Sequence, residues 1–151
     1  MSGQSKTIRF QIPAQLEALV QLEGQVRALM SELPKTPENE TEQYNFTLAL
    51  HELCTNIVEH GYHGFRGDIE VVLTLQFEPQ MIQALIVDSG DPFDKTAVAA
   101  PNLEKTQEHG YGLFLIEQLV DDFKYTRLSA SNQWQLKRIL DKNDQSDICQ
   151  S

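Results

Sequence analysis

Cysteine is nearly missing from this chain: two in 151 residues. Cys54 lies inside a helical pattern and Cys149 in a polar tail, so there is no disulfide framework, and reduced thiols in a cytoplasmic protein are the expectation. Long apolar runs are missing too. No stretch approaches a membrane span, and the start "MSGQSKTIRF" lacks the hydrophobic segment of a secretory signal. Positive charge is scarce, with 12 Lys and Arg against 22 Asp and Glu, a net charge of −10. That balance argues against DNA or RNA, whose phosphates would be repelled at a distance. It does not exclude a nucleotide, because backbone N–H groups and a metal ion can neutralise phosphate locally.

Several familiar motifs are absent as well. "HELCT" at 51–55 carries Thr55 where a zinc protease needs its second histidine. The spacing of His51, Cys54, His60 and His63 matches no standard zinc site. No "GxxxxGK[ST]" occurs, and "GYGLFL" at 110–115 follows a loop and lacks the third glycine of a dinucleotide fingerprint.

What remains reads as one domain over residues 1–140, followed by a frayed polar tail over 141–151. "TIRFQI" (7–12) alternates as a strand does. "PAQLEALVQLEGQVRALMSEL" has helical apolar spacing and opens at Pro13. Residues 38–60 form a second helix ended by Gly61. "DIEVVLTLQF" and "MIQALIVD" are strands joined at "EPQ" as a hairpin. Residues 89–109 look irregular, "LFLIEQLVDDF" is a short helix, and "KYTRL" and "WQLKRIL" flank the turn "SASN". Helices set against a mainly antiparallel sheet make an α+β two-layer sandwich.

Three stretches carry the chemistry. In "LALHELCTNIVEHGYHG" (48–64), Glu52, Asn56 and Glu59 fall almost in line at about 100° per residue, with His60 to one side. Leu50, Leu53, Cys54, Ile57 and Val58 take the opposite arc. Alone, this is a half-buried helix with a solvated face. In "IVDSGDPFD" an apolar strand delivers Asp88 into a turn at Gly90. The plain reading is a turn; the functional one is a carboxylate accepting from an exocyclic amine, with Gly90 leaving room for a base against the backbone. In "HGYGLF" glycines stand at a helix N-terminus, where they either cap the helix or offer N–H groups to phosphate.

Together, "ELCTNIVEHGY", "VDSGDPFD" and "GYGLFLIEQLVDDFKY" resemble the N, G1 and G2 boxes of the GHKL (Bergerat-fold) ATPase superfamily. Within it they most resemble the anti-sigma factor serine kinases of the RsbW/SpoIIAB type, and "FQIPAQLEAL" and "WQLKRIL" extend the likeness over nearly the whole chain. The resemblance implies ATP and Mg2+ as cofactors, with Glu52 as general base and Asn56 as the metal ligand. It places His60 and Gly61 at the end of the N box, Asp88 on the adenine, and Gly90 and Phe93 in the "DxGxxF" form of G1. Gly110, Tyr111, Gly112 and Leu113 would surround the phosphates. Lys95, Lys105 and His109 are the lid's candidate cations, and Lys105 is taken as the ligand.

The implied activity is phosphorylation of a STAS-like anti-anti-sigma antagonist in a partner-switching pathway, with a sigma factor as possible client and a homodimer as the assembly. No nucleic acid or membrane is expected among the partners. The rival is a non-catalytic module that holds a regulatory partner; it needs neither Glu52 nor Asn56. Histidine-kinase catalytic domains share the boxes, but the chain shows no phosphoacceptor helix pair.

Overall fold

The computed structural model describes residues 4–93 and 108–140. Strand β1 (Ser5–Pro13) leads through a short 3-10 turn (Leu16–Leu19) into helix α1 (Val20–Met30). Helix α2 (Pro37–Asn56) runs on into a π turn (Ile57–Gly61). Strands β2 (Asp68–Phe77) and β3 (Gln80–Asp88), helix α3 (Glu108–Leu119), and strands β4 (Asp122–Arg127) and β5 (Asn132–Ile139) complete the order.

Local chemistry explains where α2 starts. Thr36 Oγ1 accepts from the Asn39 amide at 3.1 Å, Pro37 fits the first helical position, and Glu38 and Glu40 face the positive end of the dipole. The first helix begins later than Pro13, because the Ala14 and Gln15 backbone is still engaged in turn hydrogen bonds to Gly67 and Pro13. The third helix also differs from its sequence reading. It begins at Glu108 and stops at Leu119, and Phe123 passes to β4. There strand pairing with Leu136 prevails over the helical spacing of the apolar residues.

The sheet has the order β1-β2-β3-β5-β4, and all four described pairings are antiparallel. One face is buried. Ile12, Ile69, Leu73, Leu75, Ile82 and Ile86 point from it into a core closed by Leu22, Val26, Leu29, Phe46, Leu50 and Leu53 of α1 and α2. The arc of α2 read as apolar is the buried one: Leu50, Leu53, Cys54, Ile57 and Val58 are all inside. The two-layer α+β sandwich expected from sequence is therefore what the chain forms. The tail expected over residues 141–151 lies outside the described residues.

A charged tie sets α2 on the sheet. Arg138 of β5 donates from Nε and Nη2 to Glu42 Oε2 and Oε1 at 2.8 and 3.1 Å, and Asp121 lies 3.8 Å from Nη1. The Glu42 hydrogen bonds push the Arg138 pKa up against the opposing effect of burial. The pair is largely shielded from solvent, so salt screens it weakly. Glu42→Ala should lower the urea unfolding free energy by about 1–3 kcal/mol, because it leaves the guanidinium without its bidentate acceptor. A double cycle with Arg138→Ala should return a coupling above about 0.5 kcal/mol, and purely additive losses would contradict the tie.

Candidate functional site

Glu52 and Asn56 sit one turn apart on the half-buried side of α2, while Glu59 and His60 beyond them are exposed. The stripe is not continued as an ideal helix. From Ile57 the chain widens, and the Tyr62 amide donates to the Ile57 carbonyl at 2.9 Å, five residues back. Such widened turns recur at functional sites because they re-aim the residues that follow. Here the widening carries Gly61 against the end of β3.

That approach is close. A Cβ added to Gly90 would stand 2.7 Å from the Gly61 carbonyl carbon and 2.8 Å from its oxygen. The Asp91 amide then donates to the Gly61 carbonyl at 2.9 Å. Glycine is required at 90 by the neighbouring backbone, a steric reason that the sequence did not show. Beside this join, Tyr62 is a strut. Its hydroxyl donates to the Asp68 carbonyl at 2.7 Å and accepts from the Ser89 amide at 2.8 Å. Burial pushes its pKa up. Gly67 faces its ring so closely that a Cβ would lie 2.2 Å from it.

Asp88 is 2% exposed. A carboxylate so deep must be hydrogen-bonded to remain folded at low cost. Its Oδ1 accepts from the Gly90 amide at 2.9 Å and from Asn132 Nδ2 at 2.8 Å, and its Oδ2 accepts from Trp134 Nε1 at 2.8 Å. Asn132 is fixed in turn by the Tyr125 hydroxyl at 2.5 Å and by Arg127 Nη1 at 3.2 Å. Trp134 packs among Phe93, Phe123 and Tyr125 with ring centroids 5.4, 6.1 and 4.4 Å away. Sequence reasoning missed Asn132, Trp134, Tyr125 and Arg127. No local signal marked them: it is the β3–β5 register that puts Asn132 opposite Asp88 and Trp134 opposite Ile86.

Gly61, Asp88, Gly90 and, through the aromatic cluster, Phe93 thus meet at one place, with Glu52 and Asn56 on the helix leading into it. Gly110, Tyr111, Gly112 and Leu113 lie within α3, which packs against α2, and Leu113 is buried. Both glycines were read as a loop before the helix; they stand instead inside its first turns. Each costs about 1 kcal/mol there relative to alanine. The first-turn N–H groups have no partner within the helix in either case. Lys95 and Lys105 lie outside the described residues, and His109 falls in the first turn of α3. A cavity of about 570 Å³ opens on the other face of the sheet, lined by Gln11, Glu70, Val87 and Arg66 among others. It shares Gly61 and Gly90 with the site but neither Asp88 nor Asn56, so we do not assign the chemistry to it.

Among the described residues, no three His, Cys, Asp or Glu side chains converge to cage a metal. A magnesium ion that arrives with phosphate needs less, often one or two protein oxygens. Asn56 fits that need. Its Nδ2 is buried and has no hydrogen-bond partner among the described residues, so packing rather than a polar network holds the amide.

Residues 12–137 match the histidine kinase-like ATPase domain family. The serine-protein kinase RsbW of Bacillus thuringiensis (strain Al Hakam) is 35% identical over 85 residues, 51% of this chain and 52% of that protein. RsbW of Bacillus cereus (strain ZK / E33L) is 36% identical over the same shares. The chain spans about half the length of the curated relatives it matches. The RsbU and RsbW domains of Rv1364c from Mycobacterium tuberculosis superpose with a TM-score of 0.63 at 20% identity, covering 89% of this chain and 32% of that one. The histidine kinase domain of the Erythrobacter litoralis EL346 blue-light-activated histidine kinase gives 0.54 at 14%, covering 88% and 64%. At these identities the two structures attest the fold.

Cys54 lies under the site, fully buried, and its thiol is pushed up to about 12, first by burial and then by the Asp88 charge. The thiol should therefore be inert in the native state. In a Cys149→Ser background, a disulfide reagent at pH 8 should modify Cys54 only as fast as the chain unfolds, and prompt reaction would contradict the burial. Between pH 9 and about 12 the unfolded thiol ionises while the folded one does not, so this group lowers stability as pH rises through that window.

Proposed function

The chain belongs to the histidine kinase-like ATPase domain family, and on that premise we propose that it is a protein serine/threonine kinase of the anti-sigma type. In this reading it binds Mg-ATP and phosphorylates a serine of a STAS-like antagonist, switching partners as it does so. The observation that carries the reading is the pairing of Glu52 and Asn56 on the half-buried face of a helix whose end locks against the Asp88 turn. A partner-holding scaffold needs neither side chain. Support also comes from relatives named serine-protein kinase RsbW. The reading includes a cytoplasmic location; no helix among the described residues is long and apolar enough to cross a membrane.

The residues divide the work. Asp88 would accept from the base amine, and the first-turn N–H groups of α3 would face the phosphates. Lys105 remains the proposed lid cation. Asn56 Oδ1 would hold the ion, which supplies charge neutralisation across the phosphates. Glu52 would take the proton of the attacking serine hydroxyl as its oxygen bonds to the γ-phosphorus. The bond to the β–γ bridging oxygen breaks, and ADP leaves with that electron pair.

Two substitutions test this. Glu52→Gln keeps shape and removes proton acceptance. Mg-ATP affinity should stay within a few-fold, while single-turnover transfer from radiolabelled ATP to purified STAS-like proteins of the source organism falls by roughly 10²–10⁴. Wild-type rates in the variant would remove Glu52 from the role of base, and absence of transfer by the wild type itself would favour the scaffold reading. Asn56→Ala should abolish the Mg2+-dependent part of ATP binding in calorimetry. The variant should still melt cooperatively, since the change gives up no hydrogen bond of the buried Nδ2 among the described residues. Unchanged Mg2+ dependence would remove Asn56 from the role.

A further inference from the structure

The Asp88 carboxylate has two oxygens and about four acceptor positions. Oδ1 is filled by the Gly90 amide and Asn132 Nδ2, and Oδ2 carries Trp134 Nε1. Among the described residues, one position on Oδ2 is left. Neither side-chain donor can readily turn away. Asn132 Nδ2 also reaches the Gly90 and Asp91 carbonyls at 3.2 and 3.0 Å, and its Oδ1 is held by Tyr125 and Arg127. The Trp134 ring is 4% exposed and enclosed by Phe93, Phe123 and Tyr125. The carboxylate is therefore clamped in rotation as well as in place.

We infer that Trp134 and Asn132 are positioning residues for base selection: they orient Asp88 and ration it to a single further N–H donor. This rests on the proposed role of Asp88 toward the base. A purine with a 6-amino group supplies the one donor that fits. A 6-oxo purine brings no donor to that position and sets a carbonyl oxygen against a carboxylate that cannot rotate away. Trp134 shares Oδ2 with the incoming amine, and it is the only tryptophan in the chain. Its indole is consequently a built-in reporter of the base.

The test compares Mg-ATP with Mg-ITP, which differ in the 6-amino against the 6-oxo group. By titration calorimetry the wild type should favour ATP by about tenfold or more, the worth of one hydrogen bond to a charged group. Trp134→Phe keeps the ring cluster and deletes the N–H. The vacated position admits water, and the ATP-to-ITP preference should shrink several-fold. Equal losses for both nucleotides, with the preference intact, would reduce Trp134 to core filling and overturn the inference. Equal wild-type affinities would instead overturn the role of Asp88, and the inference with it. Should the variant not fold, the wild type decides alone. Saturating Mg-ATP should shift Trp134 emission where saturating Mg-ITP does not, and identical responses to the two would overturn the inference.

Discussion

A carboxylate buried to 2% exposure at the end of a central strand constrains everything around it. Asp88 cannot be left bare in the core, where an unpaired charge costs far more than a domain's margin of stability. Its donors come from its own turn and from β5, and those donors are braced by Tyr125 and Arg127 of β4. One charge thereby joins three strands and the start of the segment after β3, where the Phe93 amide donates to the Tyr125 hydroxyl. An apolar residue at 88 would fold with fewer conditions. On the proposed reading, the network is retained because the base needs that carboxylate.

The second constraint is steric. Gly61 and Gly90 meet backbone to backbone, so the end of α2 and the end of β3 share one position. The side chains that read as chemistry on the helix are thus held in fixed relation to the carboxylate on the sheet. The Glu42–Arg138 pair fixes the same helix from farther along its length. Between these two ties the buried arc of α2 supplies the apolar area, and its other arc is free to carry Glu52 and Asn56.

Much of this was legible in the residues. Strands β2 and β3 were readable to within a residue because alternation and the "EPQ" turn fixed both register and boundary. The two-sided character of α2 followed from the 3.6 period. The π turn was not legible, because widening by one residue leaves no local composition signal and is decided by the contact Gly61 makes. The donors to Asp88 escaped for a similar reason. Asn132 is 44 residues away in sequence, and its importance appears only when β5 is laid beside β3 in register. Phe123 was assigned to a helix because its apolar spacing continued that of Ile116, Leu119 and Val120. Pairing with Leu136 and stacking on Trp134 decided otherwise.

An acidic chain that takes a triphosphate must find its positive charge locally. Arg127, beside the site, donates to the Gly90 carbonyl and Asn132 Oδ1, and His63 lies 3.0 Å from Asp91. Both are already engaged in structure. On the proposed reading, neutralisation would fall to the first-turn N–H groups of α3, to an ion on Asn56 and to Lys105 of the lid. An ion held by one amide oxygen binds weakly alone, and a triphosphate meeting so few cations does as well. Each raises the other's affinity by the same factor. In this reading the sparse basic character of the chain makes nucleotide and metal obligate companions.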